Sequence, residues 1–271
     1  MLTDKFISRL LTSAVLIALC VYALFFASTL WFSLIVVVFI GLALFEFFTL
    51  LIDAKVPCYR LFGVVMGIII PIIVYTESGS THSGEVLFLV LGCLFLFVLQ
   101  FFHKDNSQAL VGIALTLFGI LYISWFLSFL IKIRFLENGV FWAAYLLVVT
   151  KASDMGAYLV GTAIGRHRLI EHVSPKKSIE GTLGGLLASV GASMVAYFYL
   201  PIPFTFFHMI VLGLLIGIVG EVGDLSESLM KRFCGAKDSG NFLPGIGGFF
   251  DVVDSVLFTA PIFYFHLKIY L

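Results

Sequence analysis

Apolar residues run through this chain in long stretches broken by short polar links. Nine such stretches stand out, at residues 10–28, 31–52, 61–76, 86–102, 109–131, 140–162, 181–200, 208–230 and 252–270. As helices they are long enough to cross a hydrocarbon core about 30 Å thick. No period-two alternation suggests a barrel, and Phe, Leu, Ile and Val dominate the runs. The pattern predicts an all-α polytopic membrane protein with about nine transmembrane helices. The N-terminus carries Lys5 and Arg9 ahead of an apolar run from Leu10 to about Ala27. A cleaved signal core is usually about 7–15 residues, so this run reads as the first transmembrane helix.

Composition narrows the picture. The 271 residues are 61% hydrophobic and 12% charged, with mean hydropathy +1.12. A soluble domain carries about 25% charged residues, so no separate soluble domain is expected. Sixteen basic and sixteen acidic residues balance to a formal charge of zero, and no nucleic acid partner is expected. Cys20, Cys58, Cys93 and Cys234 form no CxxC pair and suggest neither a disulfide framework nor a zinc site. With the N-terminus in the cytoplasm, twelve Lys and Arg fall in inside segments and three outside, while Lys151 lies within a span. That positive-inside bias makes loops 163–180 and 231–251 cytoplasmic. Residues 1–140 read as transmembrane scaffold and residues 141–271 as the catalytic region, because nine of the sixteen acids lie between 151 and 254.

Three polar blocks carry the candidate chemistry. In the eighth span Glu221, Asp224, Ser228 and Lys231 fall on one helical stripe, with Glu227 bordering it. Charges at membrane depth usually face a polar cavity. A glycine-rich loop follows, with Gly240, Gly245, Gly247 and Gly248, then Asp251 and Asp254 at i, i+3. Glycines let backbone N–H groups approach a phosphate. Carboxylates beside a phosphate need a bridging cation, and hard oxygen ligands favour Mg²⁺, with or without a second cation. The third block starts at Ser153-Asp154 and continues with Ser174, Lys176, Lys177, Ser178 and Glu180 just before a helix. Donors there suit an anion. There is no GxxxxGK[ST], HExxH or GxSxG motif.

Residues 228–254 resemble the signature of phosphatidate cytidylyltransferases (CDP-diacylglycerol synthases): S-x-x-K-R, four residues, K-D, then P-x-H-G-G and D-R-x-D. Here these positions are Ser228, Lys231-Arg232, Lys237-Asp238, Pro244, Gly247-Gly248, Asp251 and Asp254. The block from Ser174 to Gly181 resembles the family's S-P-K-K-T-x-E-G. The resemblance is specific over about residues 150–260. Two positions depart from it: the family's His is Ile246 and the Arg after the first Asp is Val252.

The resemblance implies cytidylyl transfer from CTP to phosphatidate, giving CDP-diacylglycerol and pyrophosphate. The expected metal ligands are Asp224 and Asp251, assisted by Asp254 and Glu221. Lys231 and Lys237, with Arg232, are expected to neutralise the CTP phosphates, cradled by Ser228 and the Gly245, Gly247 and Gly248 backbone. Ser174, Lys176 and Lys177 are expected to hold either the lipid phosphate or the nucleotide. A homodimer is implied by resemblance, and a bacterial inner membrane is the expected location, with the site facing the cytoplasm. Three alternatives stand beside this reading. One is a CTP-dependent polyprenol kinase or a cytidylyltransferase for another lipid phosphate. Another is an ion-coupled transporter using Glu46, Asp154, Glu221 and Asp224. The third is a catalytically silent relative.

Overall fold

A computed structural model describes residues 2–78, 84–102, 106–200 and 203–271. Lys104, counted above with the inside charges, lies outside the described residues, as does the side chain of Lys5. The chain is helical as its hydropathy predicts. The helices are α1 (Leu2–Phe25), α2 (Thr29–Asp53), α3 (Arg60–Glu77), α4 (Gly84–Phe101), α5 (Ala109–Gly119), α6 (Phe126–Arg134), α7 (Gly139–Ile164), α8 (Ile179–Tyr199), α9 (Phe206–Phe233) and α10 (Phe249–Tyr270). A π-helical turn at Ile120–Trp125 joins α5 to α6, so that Ala109–Arg134 forms one apolar rod. Among the described residues, eight rods are long and apolar enough to cross a membrane. The ninth, α7, is 26 residues long but carries Lys151, Ser153 and Asp154 and falls outside that set. Loop 163–180 holds an unforeseen antiparallel hairpin, β1 (Arg168–Ile170) with β2 (Ser174–Ser178), pairing Arg168 with Ser178 and Ile170 with Ser174.

The chain forms two compact units. The first comprises Met1–Phe135 with Cys234–Val252, and the second Leu136–Phe233 with Val253–Leu271. The polar loop after α9 thus groups with the N-terminal helices rather than with the rest of residues 141–271. In the first unit, Ile40, Leu44 and Phe48 of α2 are fully buried. The Arg134 guanidinium donates to the carbonyls of Leu24 at 2.7 Å and Ala27 at 3.0 Å, satisfying acceptors that the end of α1 leaves open.

In the second unit, small residues let α7, α8 and α9 approach closely, as membrane helices commonly do. A Cβ on Gly156 would lie 2.8 Å from the Gly184 carbonyl, and one on Gly213 would lie 3.0 Å from the Ser189 carbonyl. Gly223 does the same for α9 against α10, where a Cβ would meet the Asp254 carbonyl at 2.6 Å. Trp142, Tyr145 and Phe263 fill the space beyond this seam.

Candidate active site

The second unit gathers acids and lysines from four elements. Ser178 ends β2 and caps α8, its hydroxyl accepting from the Gly181 N–H at 3.1 Å. Glu180, in the first turn, accepts from the backbone N–H groups of Arg166 and His167 at 3.1 and 3.2 Å, which ties the hairpin to the helix start. Arg232 Nε donates to the Val173 carbonyl at 3.3 Å from the end of α9. Held at both ends, β2 directs Lys177 at α9. Its ammonium lies 2.9 Å from Glu221 Oε1 and 2.9 Å from Asp224 Oδ2. Burial disfavours the Lys177 charge, but Asp224 and Glu221 outweigh that and hold its pKa above the ordinary lysine value. Thr182 also donates to Glu221 Oε1, at 3.3 Å.

One turn further along α9, Glu227 is completely buried and pairs with Lys231 at 2.6 Å. Ser228 Oγ lies 3.5 Å from Asp224 Oδ1. Because Gly223 admits α10, the carboxylates of Asp224, Glu227 and Asp254 come together, with one ligand atom from each lying within 4.8 Å of the others. Beside them, Lys151 Nζ contacts Asp154 Oδ2 at 2.9 Å and Ser255 Oγ at 3.0 Å. Three carboxylates offering hard oxygens in such a space are a donor set suited to Mg²⁺, which binds through a few carboxylates and keeps positions for substrate phosphate.

The first unit holds a different arrangement. Glu46 of α2 is buried, and its carboxylate accepts the Phe249 and Phe250 N–H groups at 3.0 and 2.9 Å. These are the first donors of α10, where the helix dipole favours an anion. Asp251 Oδ2 accepts from Ser239 N at 2.9 Å, Ser239 Oγ at 2.7 Å and Gly248 N at 2.7 Å. Ser239 Oγ also lies 3.1 Å from Glu46 Oε2. The loop glycines lie against these groups. A Cβ on Gly248 would stand 2.2 Å from Ser239 Oγ and 2.3 Å from Glu46 Oε2. Gly247, at φ +129°, would place one 2.6 Å from Asp251 Oδ2. Gly245, at φ +80°, backs onto Arg9.

Several expected site residues thus come together: Lys177, Glu221, Asp224, Ser228, Lys231 and Asp254. Asp251 lies in the first unit, where it fixes the glycine-rich loop. Lys176, Arg232 and Lys237 are exposed, and Ser174 is half-buried at the start of β2. Glu227 was expected only to border the stripe but is a member of the carboxylate cluster. Lys151, Ser255, Glu46 and Ser239 were given no role in catalysis. An acid in the apolar run of α2, or a lysine in that of α7, is the one signal that marks any of them in the sequence.

Fold and site together define a polytopic α-helical membrane protein with a carboxylate–ammonium centre suited to phosphate chemistry. The chain belongs to the cytidylyltransferase family, whose pattern it matches over residues 7–270. It is similar to a phosphatidate cytidylyltransferase of Synechocystis sp., at 31% identity over 97% of each chain. It is also similar to a phosphatidate cytidylyltransferase of Bacillus subtilis, at 32% identity over 72% of each chain. An uncharacterized protein of Escherichia coli, YnbB, is 35% identical over 62% of this chain and 55% of its own.

Proposed function

We propose that the chain transfers a cytidylyl group from CTP to phosphatidate, giving CDP-diacylglycerol and pyrophosphate for phospholipid synthesis. The observation that carries this reading is the Asp224–Glu227–Asp254 cluster flanked by Lys177 and Lys231. The family and the names of its relatives support the nucleotide and the lipid.

In the reaction an ionised phosphate oxygen of phosphatidate attacks the α-phosphorus of CTP. The bond from that phosphorus to the β-bridging oxygen breaks, and pyrophosphate leaves. The second pKa of a phosphomonoester is about 6, so the nucleophile is already largely ionised at neutral pH and needs no general base. Ile246 in place of the family's His is compatible with that chemistry. The difficulty is bringing two polyanions together. Asp224, Glu227 and Asp254 would hold a divalent cation, with Mg²⁺ the best fit to three carboxylates; when bound, it neutralises and aligns phosphate oxygens. Lys177 and Lys231 supply fixed positive charge, and Ser174 and Lys176 offer further phosphate contacts. Glu221 orients Lys177. Glu46 and Asp251 keep the loop of Gly245, Gly247 and Gly248 in one shape. Phosphatidate reaches the site sideways from the cytoplasmic leaflet of a bacterial inner membrane, the side that the Lys and Arg bias selects.

CTP labelled in turn at the α- and γ-phosphorus tests the reaction. Label from the α position in extracted lipid, with none from the γ position, is the expected result. Label from the γ position alone would make the protein a lipid kinase and overturn the proposal.

A further inference from the structure

His208 and His266 take no part in the mechanism above. His208 lies in the first turn of α9 and His266 near the end of α10, 58 residues apart in sequence. Within the second unit their Nε2 atoms stand 2.7 Å apart. The Thr205 hydroxyl accepts the His208 backbone N–H at 3.2 Å and fixes the start of α9. Phe204 stacks on the His208 ring, with 4.3 Å between centroids. Tyr270 packs against both imidazoles, at 4.9 Å from His208 and 4.7 Å from His266. These aromatic walls hold two ring nitrogens from separate helices aimed at one point. Both histidines are half-buried, so that point is open to a small ion.

The chemistry of the pair selects the ion. With the proton of each neutral ring on Nδ1, both Nε2 lone pairs face the same point. Two nitrogens bound at about 2.0–2.1 Å to a tetrahedral ion stand about 3.3 Å apart, so the rings need to part by only about 0.6 Å. Imidazole suits Zn²⁺, Cu²⁺ and Ni²⁺, whereas carboxylates suit Mg²⁺. Ligand type therefore separates this pair from Asp224, Glu227 and Asp254.

We propose that His208 and His266 form a separate cation site, which takes one divalent ion of the Zn²⁺, Cu²⁺ or Ni²⁺ class and leaves its remaining positions to water. The ion ties α9 to α10 at the ends away from the carboxylates. At about 1.5 Å per residue, it lies about 24 Å along α9 from Asp224 and about 18 Å along α10 from Asp254. These are the two helices that Gly223 lets close on each other. The proposal depends neither on the substrates nor on the reading of the carboxylate cluster.

The test is Cu²⁺ binding to the full-length protein, purified in detergent without a histidine tag. Excess Mg²⁺ is present to occupy oxygen-ligand sites, and the copper is read by electron paramagnetic resonance. Wild type is expected to show nitrogen couplings from two imidazoles, saturating at one ion per chain and displaced by Zn²⁺. His208→Gln and His266→Gln each lose the two-imidazole signal. A protein carrying His82→Gln, His103→Gln, His167→Gln and His172→Gln retains only His208 and His266 as histidines. It is expected to keep the full signal, and it carries the test if either single variant does not fold. Zn²⁺ should also raise the unfolding temperature of this protein and of wild type, because an ion that binds the folded state stabilises it. A wild-type signal from oxygen ligands alone, an adventitious ion only, would overturn the proposal. So would a two-imidazole signal that survives His208→Gln or His266→Gln, or one that the four-histidine variant loses.

Discussion

The Lys177 ammonium lies 2.9 Å from carboxylate oxygens of both Glu221 and Asp224, tying strand β2 to helix α9 across 44 and 47 residues of sequence. A hairpin in an otherwise helical protein thereby delivers one positive charge to a row of acids. Lys177→Met removes two charge-assisted contacts, each worth about 1.5–3 kcal/mol, and leaves Asp224 without the cation that orients it. Cytidylyl transfer is expected to fall about 100-fold or more, with the protein still extracted from the membrane as a folded species. The pKa of Lys177 is raised, so its stabilising contribution is fully present below the ordinary lysine value of 10.5 and is lost as pH rises through the higher folded value. Between pH 6 and 9 the difference in thermal stability between wild type and Lys177→Met therefore stays constant. A difference that shrank across that range would contradict the assignment.

Glu46 predicts a stability effect within the first unit. Its carboxylate accepts two N–H groups at the start of α10 and sits against Ser239. Glu46→Ala leaves those donors unsatisfied in a buried site, a loss of about 1–3 kcal/mol for each group stranded. Thermal unfolding in detergent should drop by several degrees, and limited proteolysis should cut first within residues 237–248. Unchanged protease resistance of that loop would show that Glu46 does not hold it.

Gly223 gives a steric prediction. A methyl group there would stand 2.6 Å from the Asp254 carbonyl, which is backbone and cannot swing aside. Gly223→Ala must push α10 away from α9 and open the Asp224–Glu227–Asp254 cluster. Overpacking of this kind typically costs about 1–3 kcal/mol, but the larger effect is expected on the cation concentration needed for half-maximal turnover. A variant with wild-type metal dependence would contradict the close approach.

Much of this architecture was legible in the sequence, and the reasons differ by element. Hydropathy marked each membrane-length rod because a lipid-facing helix must be apolar along its whole length. The predicted run 61–76, for example, is Arg60–Glu77 in the structure. The π-helical turn at Ile120–Trp125 left no trace, since it changes the hydrogen-bond step without changing the need for apolar side chains. The stripe Glu221–Asp224–Ser228–Lys231 was visible because its residues are neighbours on one helix. Glu227 was harder to judge, because a helical wheel shows that it borders the stripe but not that it is buried against Lys231. The partners of Glu46 lie 193 to 204 residues away, beyond the reach of local periodicity. The loop glycines read as a phosphate cradle, and the structure shows a further reason for them: a side chain at Gly248 would collide with Glu46 and Ser239.

The most direct test of the account uses Glu227, the carboxylate that the three-dimensional arrangement adds to the centre. Purified wild type and Glu227→Gln are incubated with phosphatidate, Mg²⁺ and CTP labelled at the α-phosphorus, and the lipid is extracted and counted. The account predicts label in the lipid for wild type, abolished by EDTA. For Glu227→Gln it predicts at least about a 100-fold loss, partly recovered at high Mg²⁺. Lipid labelling by Glu227→Gln at the wild-type rate and with wild-type Mg²⁺ dependence would contradict the proposed centre.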